Sequence, residues 1–473
     1  MGARNGSSQE PGSPAARADA GRQARTRVPP ASHAELPTDG RPGGVAVLTG
    51  QIPSRLPELV PIRHARMLTS PFAFYRGGAA IMAGDLARTP VSGFTAQLCG
   101  DAHLSNFGMF ASPERALVFD INDFDETLPG PWEWDLKRLA ASLVVAGRQN
   151  GFRRKEIRRT VVESVRAYRD AMAGFAAMSN LDVWYTRVDV ALLRQRMARE
   201  LGKRAGKRVD KGIAKARLRD HRHTLAKLTE VVDGERHIVD APPLVVRVSS
   251  LVLEATADQI EDVVTGMVHS YASSLAPGYR ELVRSYTFVD MARKVVGVGS
   301  VGTRCWIVLL RGRDDDDPLF LQVKEAQPSV LAAHLGPTTE SNEGARVVAG
   351  QRIMQAAADA FLGWDRVAGI DGTSRDFYVR QLRDWKGAVE VERMAPEGMR
   401  LYGRLCAWTL ARAHARSGDR IAIAAYLGDD DVLPQAVADF ADAYADLNEH
   451  DFADFAAAVA RGDLAAAEPT AVR

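Results

Sequence analysis

The stretch Phe119-Asp120-Ile121-Asn122-Asp123-Phe124-Asp125 sets three carboxylates among two phenylalanines and an isoleucine. Apolar neighbours of that size draw the segment into a core, while ionised carboxylates resist leaving water. The acids must therefore line a cleft or be neutralised by a cation. Upstream, also between apolar runs, stands Gly100-Asp101-Ala102-His103-Leu104-Ser105-Asn106. Phosphoryl transfer needs such a set: an Asp that accepts or orients the proton of the attacking hydroxyl, an Asn five residues on that holds Mg²⁺, and a second Asp after a short strand that bridges Mg²⁺ to the phosphates. Asp101, Asn106 and Asp123 stand in that order. Asp123 is the favoured metal ligand, with Asp120 as a second. His103 either supports the loop's chemistry or only its hydrogen bonding. Turn-building alone seldom concentrates acids beside aromatic strands.

A second set lies about two hundred residues later. Gly297-Val298-Gly299-Ser300-Val301-Gly302 is a GxGxxG run, a weak signal by itself. A dinucleotide site would require a helix directly after it, whereas here the β-rich run Cys305 to Leu310 follows, then a turn at Asp314 to Pro318 and a strand Leu319 to Val323. That predicts a glycine-rich hairpin over nucleotide phosphates, with Gly297, Gly299 and Gly302 as backbone contacts. Alternation places Leu321 and Val323 on one strand face and Gln322 and Lys324 on the other, so Lys324 can reach a cleft. Glu343, near the start of the helical stretch Glu343 to Phe361, is the expected partner of Lys324; alternatively it serves the helix dipole. A further strand is expected at Phe377 to Leu382.

Leu98 to Asn106 resembles the catalytic loop of aminoglycoside-phosphotransferase-type kinases, whose GDxHxxN run precedes an acidic metal ligand and a second Asp; Pro131-Trp132-Glu133-Trp134-Asp135-Leu136 resembles that last element. The stretch from about Arg63 to Leu143 also resembles an uncharacterised bacterial family, domain of unknown function 2252, a likeness that runs over nearly all of the chain expected to be ordered. The kinase resemblance implies an α+β protein-kinase-like two-lobe fold, with a mostly helical larger lobe and a small antiparallel-sheet lobe. It further implies ATP and Mg²⁺ as cofactors, and as partners a nucleotide and an acceptor of unknown identity. Kinase-like chains place glycine loop, lysine and hinge before the catalytic loop, so the inverted order implies a circular permutation, which folds tolerate when new ends fall at the surface. Residues from about Leu181 to Met291, expected to be helical, would join the old ends. Leu401 to His414 would be the helix that normally precedes the catalytic loop, and Gln381 to Gly387 the hinge.

The 473 residues, 46% of them apolar, suffice for a large core. Residues 1–45 are rich in Gly, Ala, Pro, Ser and Arg and are expected to be unordered. A helical lobe carrying the catalytic loop and metal-binding acids is expected over 46–292, a small β-rich nucleotide-binding lobe over 293–386, and helices completing the first lobe over 387–473. Ser70-Pro71 reads as a helix start before Phe72 to Leu86. Sixty-one basic against fifty-nine acidic residues give a charge of +2, which argues against nucleic acid or an anionic membrane as partner. No apolar run reaches a membrane span of about 18 residues. Cys99, Cys305 and Cys406 lack metal or disulfide spacing and fit the cytoplasm. The basic run Lys203 to Lys227 carries no interleaved aromatics and reads as a solvated helix face. Trp132 and Trp134 read as core. Arg76, beside two glycines, is open between a phosphate contact and a structural ion pair. The expected activity is ATP- and Mg²⁺-dependent phosphoryl transfer. The alternatives are a two-metal phosphoesterase, for which Gly-Asp-x-His and His221-Arg222-His223 supply ligand types, and a non-catalytic nucleotide-binding module.

Overall fold

The four longest described helices, Trp132–Gln149, Arg154–Ala176, Pro396–Ser417 and Val432–Ala460, share one core. Trp132 is fully buried and stacks on Tyr168, as its core reading expects. These helices come from a computed structural model that describes residues 12–191, 194, 210, 213–214, 221–251, 257–368, 372–382, 385 and 387–468. The protein is a mixed α+β molecule with several small antiparallel sheets. No described helix is long and apolar enough to cross a membrane. Most of the basic run Lys203 to Lys227 lies outside the described residues, as do the side chains of His221 and His223.

Two small antiparallel strand pairs frame the early acids. Strand β1 (Thr95–Leu98) pairs with β4 (Leu128–Pro131), and between them β2 (Phe107–Ala111) pairs with β3 (Leu117–Ile121). Short strands β5 (Val188–Asp189) and β14 (Gly387–Ala388) flank β3 and β2. Next in the chain, β6 (Thr229–Val232) and β7 (Glu235–Ile238) form a separate hairpin. A six-stranded antiparallel sheet is ordered β12-β13-β11-β10-β9-β8, from β8 (Val245–Arg247), β9 (Thr287–Lys294), β10 (Cys305–Arg311), β11 (Pro318–Glu325), β12 (Gly363–Ala368) and β13 (Ser374–Gln381). The expected β10–β11 hairpin and the strand near Phe377 are present. On one face of this sheet Val308, Leu310, Leu319, Leu321 and Val379 pack against the helices Ala257–Ala272 and Pro277–Arg284. The other face buries Ile307, Leu309 and Phe320 against Leu225, Leu228 and Ile238, and continues through Gln322 and Lys324 toward the early acids.

Two expectations are corrected. The segment Leu181 to Met291 is not helical throughout: it contains β5 to β8 and most of β9. Asp233 and Gly234 have φ of +52° and +85°, as in a two-residue hairpin turn that suits Asp-Gly, and that local chemistry outweighs helical spacing there. The small sheet accordingly starts well before residue 293. Nor are residues 12–45 without structure, since Pro14–Arg27 is a helix. Low apolar content is offset by close approach and arginine bonding. A Cβ on Gly21 would lie 2.2 Å from the Ala422 carbonyl oxygen, and Arg17 binds Asp419 at 2.8 Å. Arg25 donates to the Tyr426 and Leu427 carbonyls.

Just beyond, fully buried His33 hydrogen-bonds the Tyr426 hydroxyl at 2.6 Å. Burial, then the nearby Lys137 ammonium, lowers its pKa from 6.5 to about 3. The unfolded chain therefore binds a proton between those values that the folded chain does not, so stability falls as pH drops through that window. The slope from this one group reaches about 1.4 kcal/mol per pH unit. Melting temperature followed from pH 7 to 4 is expected to decline less steeply in His33→Gln than in the wild type; parallel curves would contradict it.

Candidate functional site

The early loop is positioned from below. After β1 the chain turns at Gly100, whose φ of +79° and whose approach to the Glu126 carbonyl, 2.3 Å from a would-be Cβ, both require glycine. Asp135, in the first turn of helix Trp132–Gln149, accepts hydrogen bonds from the Cys99 and Gly100 amides at 2.8 and 3.0 Å. His414 approaches the same carboxylate at 3.3 Å. Asn106 Nδ2 donates to the carbonyls of Asp101 (2.8 Å) and Asp123 (3.4 Å), so one amide ties both acidic turns together. Asp101 Oδ1 meets the buried Arg138 guanidinium at 2.6 Å, and Oδ2 lies 3.6 Å from His103 Nε2. Burial lowers His103 to about 4, which leaves a neutral imidazole at neutral pH; its Nδ1 has no partner among the described residues.

The turn between β3 and β4 presents Asp123 and Asp125 to the six-stranded sheet. Lys324 on β11, 2% exposed, reaches Asp125 at 2.5 Å and Asp123 at 3.8 Å. Asp125 also accepts from the Tyr378 hydroxyl (2.6 Å) and from Ser300 Oγ in the glycine turn (2.9 Å). Arg380 donates to the Asn122 carbonyl and to Gln322, both at 3.0 Å. Burial would raise Asp125, but Lys324, the Tyr378 hydrogen bond and Arg380 together hold it below the usual carboxylate range. Asp123 differs. Burial and the adjacent Asp125 charge raise it, with Lys324 and Arg380 opposing only in part. With 35% of its side chain exposed, Asp123 is less fully neutralised than Asp125.

The glycine run is the turn between β9 and β10, with Gly297 and Gly302 at φ of +68° and +97°. Its carbonyls are gripped by arginines: Arg66 binds Gly297 O at 2.7 Å, and Arg55 binds Gly299 O and Val301 O at 2.9 and 2.5 Å. A Cβ on Gly299 would sit 3.3 Å from the Arg76 carbonyl. The three glycines, Ser300, Lys324, Asp123 and Asp125 thus converge from distant parts of the chain, and Asn106 links them to Asp101.

Two expected site residues take other roles. Asp120, 1% exposed within β3, binds buried Arg412 through both oxygens at 2.7 and 2.9 Å and accepts from the Ala356 amide. It is a structural ion pair, because that strand is buried along its whole length. Glu343 binds Arg346 at 2.5 Å rather than Lys324. Arg346 in turn holds the carbonyls of Asp125, Thr127 and Gln327, so this pair braces the acidic turn's backbone. Lys324 finds its carboxylates on the turn itself. Tyr378 and Arg380 were missed from sequence: they stand directly across from Lys324 and Gln322 in the β11–β13 register, which only long-range pairing reveals.

Fold and site define a mixed α+β protein whose sheet lysine meets a pair of acids beside a glycine turn. The chain belongs to the DUF2252 family, described as an uncharacterized protein conserved in bacteria, whose sequence profile matches residues 55–458. No curated protein and no solved structure matches it.

Proposed function

We propose that this protein is a cytoplasmic, kinase-like phosphotransferase that moves the terminal phosphoryl group of ATP to a hydroxyl of a small molecule or protein, on a circularly permuted kinase-like frame. The observation that carries this reading is the meeting of Lys324 with Asp125 and Asp123 across two hundred residues of chain. Further support comes from the order of parts. Counting from the strand before the glycine turn, the lysine lies on the third strand, and a helix follows, as in protein kinases. Permutation is supported where the end of helix Pro396–Ser417 abuts β1: Ser417 Oγ accepts from the Gln97 amide at 2.9 Å. A chain in the usual order would be continuous there.

In this reading the acceptor oxygen bonds to the γ-phosphorus as the bond to the β,γ-bridging oxygen breaks. ADP leaves, and the hydroxyl proton passes to Asp101 Oδ2 and then to water. Arg138 holds the other oxygen of Asp101 and fixes its orientation. Lys324, Arg380 and the glycine-turn amides face the triphosphate. Asp123 and the side-chain oxygen of Asn106 are the residues that would hold Mg²⁺, a fit to a cation that takes one or two protein ligands plus phosphates and waters. When bound, Mg²⁺ supplies neutralisation of phosphate charge.

ATP with Mg²⁺ is expected to raise the melting temperature by a few degrees, since a ligand at a hundredfold its Kd adds about 2.7 kcal/mol. Lys324→Met is expected to lose this shift, and Asp123→Asn to lose its Mg²⁺ dependence. No nucleotide response with or without Mg²⁺ would sink the reading. The direct Lys324–Asp125 contact also suits a nucleotide-binding module without turnover, which would show the same shift but no ADP formation with any acceptor. The two-metal reading would draw on His221 and His223, whose side chains lie outside the described residues.

A further inference from the structure

Buried arginines in this protein generally meet a carboxylate: Arg41 meets Asp85, Arg138 meets Asp101, Arg346 meets Glu343 and Arg412 meets Asp120. The segment from residue 55 to 76 breaks that pattern. It carries Arg55, Arg63 and Arg76, and none of the three reaches a carboxylate at ion-pair distance among the described residues. The Nε atoms of Arg55 and Arg76, and both Nε and Nη1 of Arg63, are buried without a hydrogen-bond partner. A buried guanidinium nitrogen without a partner is costly, and Arg55 and Arg63 also repel each other. Burial lowers all three from the ordinary arginine range, Arg63 most strongly, and a bound anion would offset that cost.

The three are not equivalent. Arg55 spends its Nη1 on the carbonyls of Gly299 and Val301, and Arg63 spends its Nη2 on Gln51 and the Gly77 carbonyl. Arg76 makes no side-chain hydrogen bond to the described residues. Its backbone lies against Gly299, and the carboxylates whose fields reach its guanidinium are Glu392 and Asp101. The acids around Lys324 are instead Asp123 and Asp125. Arg76 therefore belongs to the Asp101 side of the cleft, where an acceptor hydroxyl would sit, rather than to the lysine side.

We infer that Arg76 binds an oxyanion group carried by the acceptor, which makes the acceptor a hydroxylated molecule that is already negatively charged. The acceptor's place rests on the phosphotransferase reading; the anion site rests on Arg76 alone. Inorganic phosphate is the probe, titrated into the full chain by calorimetry at constant ionic strength, without nucleotide and then with saturating Mg²⁺-ATP. The expected result is saturable phosphate binding in both conditions, weakened tenfold or more by Arg76→Gln and less by Arg76→Lys, and unaffected by Lys324→Met. Three results would overturn the inference: no saturable binding to the wild type, wild-type affinity in Arg76→Gln, or competition between phosphate and ATP, which would assign the anion site to the nucleotide's own phosphates. Arg76-dependent phosphate binding with no response to ATP would instead remove the phosphotransferase reading and leave the anion site standing.

Discussion

Asp120→Ala is expected to cost about 3–5 kcal/mol of stability, because it strands the Arg412 guanidinium in the core. The loss should appear as a large fall in melting temperature with or without Mg²⁺. Asp123→Asn, only three residues on, is expected to do the opposite. Its carboxylate is partly buried beside Asp125, so neutralising it removes a repulsion, and the melting temperature without Mg²⁺ should stay level or rise. The pair separates by sign the acid held in a buried ion pair from the acid proposed to hold Mg²⁺. Equal losses in both variants would show that the two acids had been assigned wrongly.

The second large effect concerns turnover. If the protein transfers phosphoryl groups as proposed, Asp101→Asn is expected to slow that transfer by roughly 10² to 10⁴, the usual worth of a positioned general base. Arg138 keeps its bond to the Tyr75 carbonyl and its place over the Tyr75 ring, so the variant should still fold, which circular dichroism would check. Turnover within a few-fold of wild type in a folded Asp101→Asn protein would remove Asp101 from the chemistry.

Local spacing made part of this site legible. Asp101, Asn106 and Asp123 follow one another within a short stretch, and strand alternation alone turns Lys324 toward the cleft. The glycine run declared itself as a hairpin turn through the β-rich residues after it. What long-range contact decides was hidden. Nothing near Asp120 announces Arg412, almost three hundred residues away, and an acid in an acidic cluster reads as a ligand until its partner is known. Glu343 stands where a lysine's partner would, but Arg346, one helical turn on, takes it first. Arg138 and Arg380 act through pairings that periodicity does not encode. The Asp233-Gly234 hairpin was written locally, yet it lay between helical stretches whose spacing suggested one continuous helical linker. The helix Pro14–Arg27 holds through small residues and carbonyl-seeking arginines, which composition alone classes with unfolded chain.

The six-stranded sheet is joined to the helical body twice, once through the chain that leads into β8 and β9 and once through the chain that leaves β13 for helix Pro396–Ser417. A lobe hung from a single strap can swing and twist in several directions. One stitched down at both ends can pivot only about the line between its stitches. In the phosphotransferase proposed above, a lobe so held would open along one axis, and its two connections would then set the path by which a ligand reaches Lys324 and Asp101.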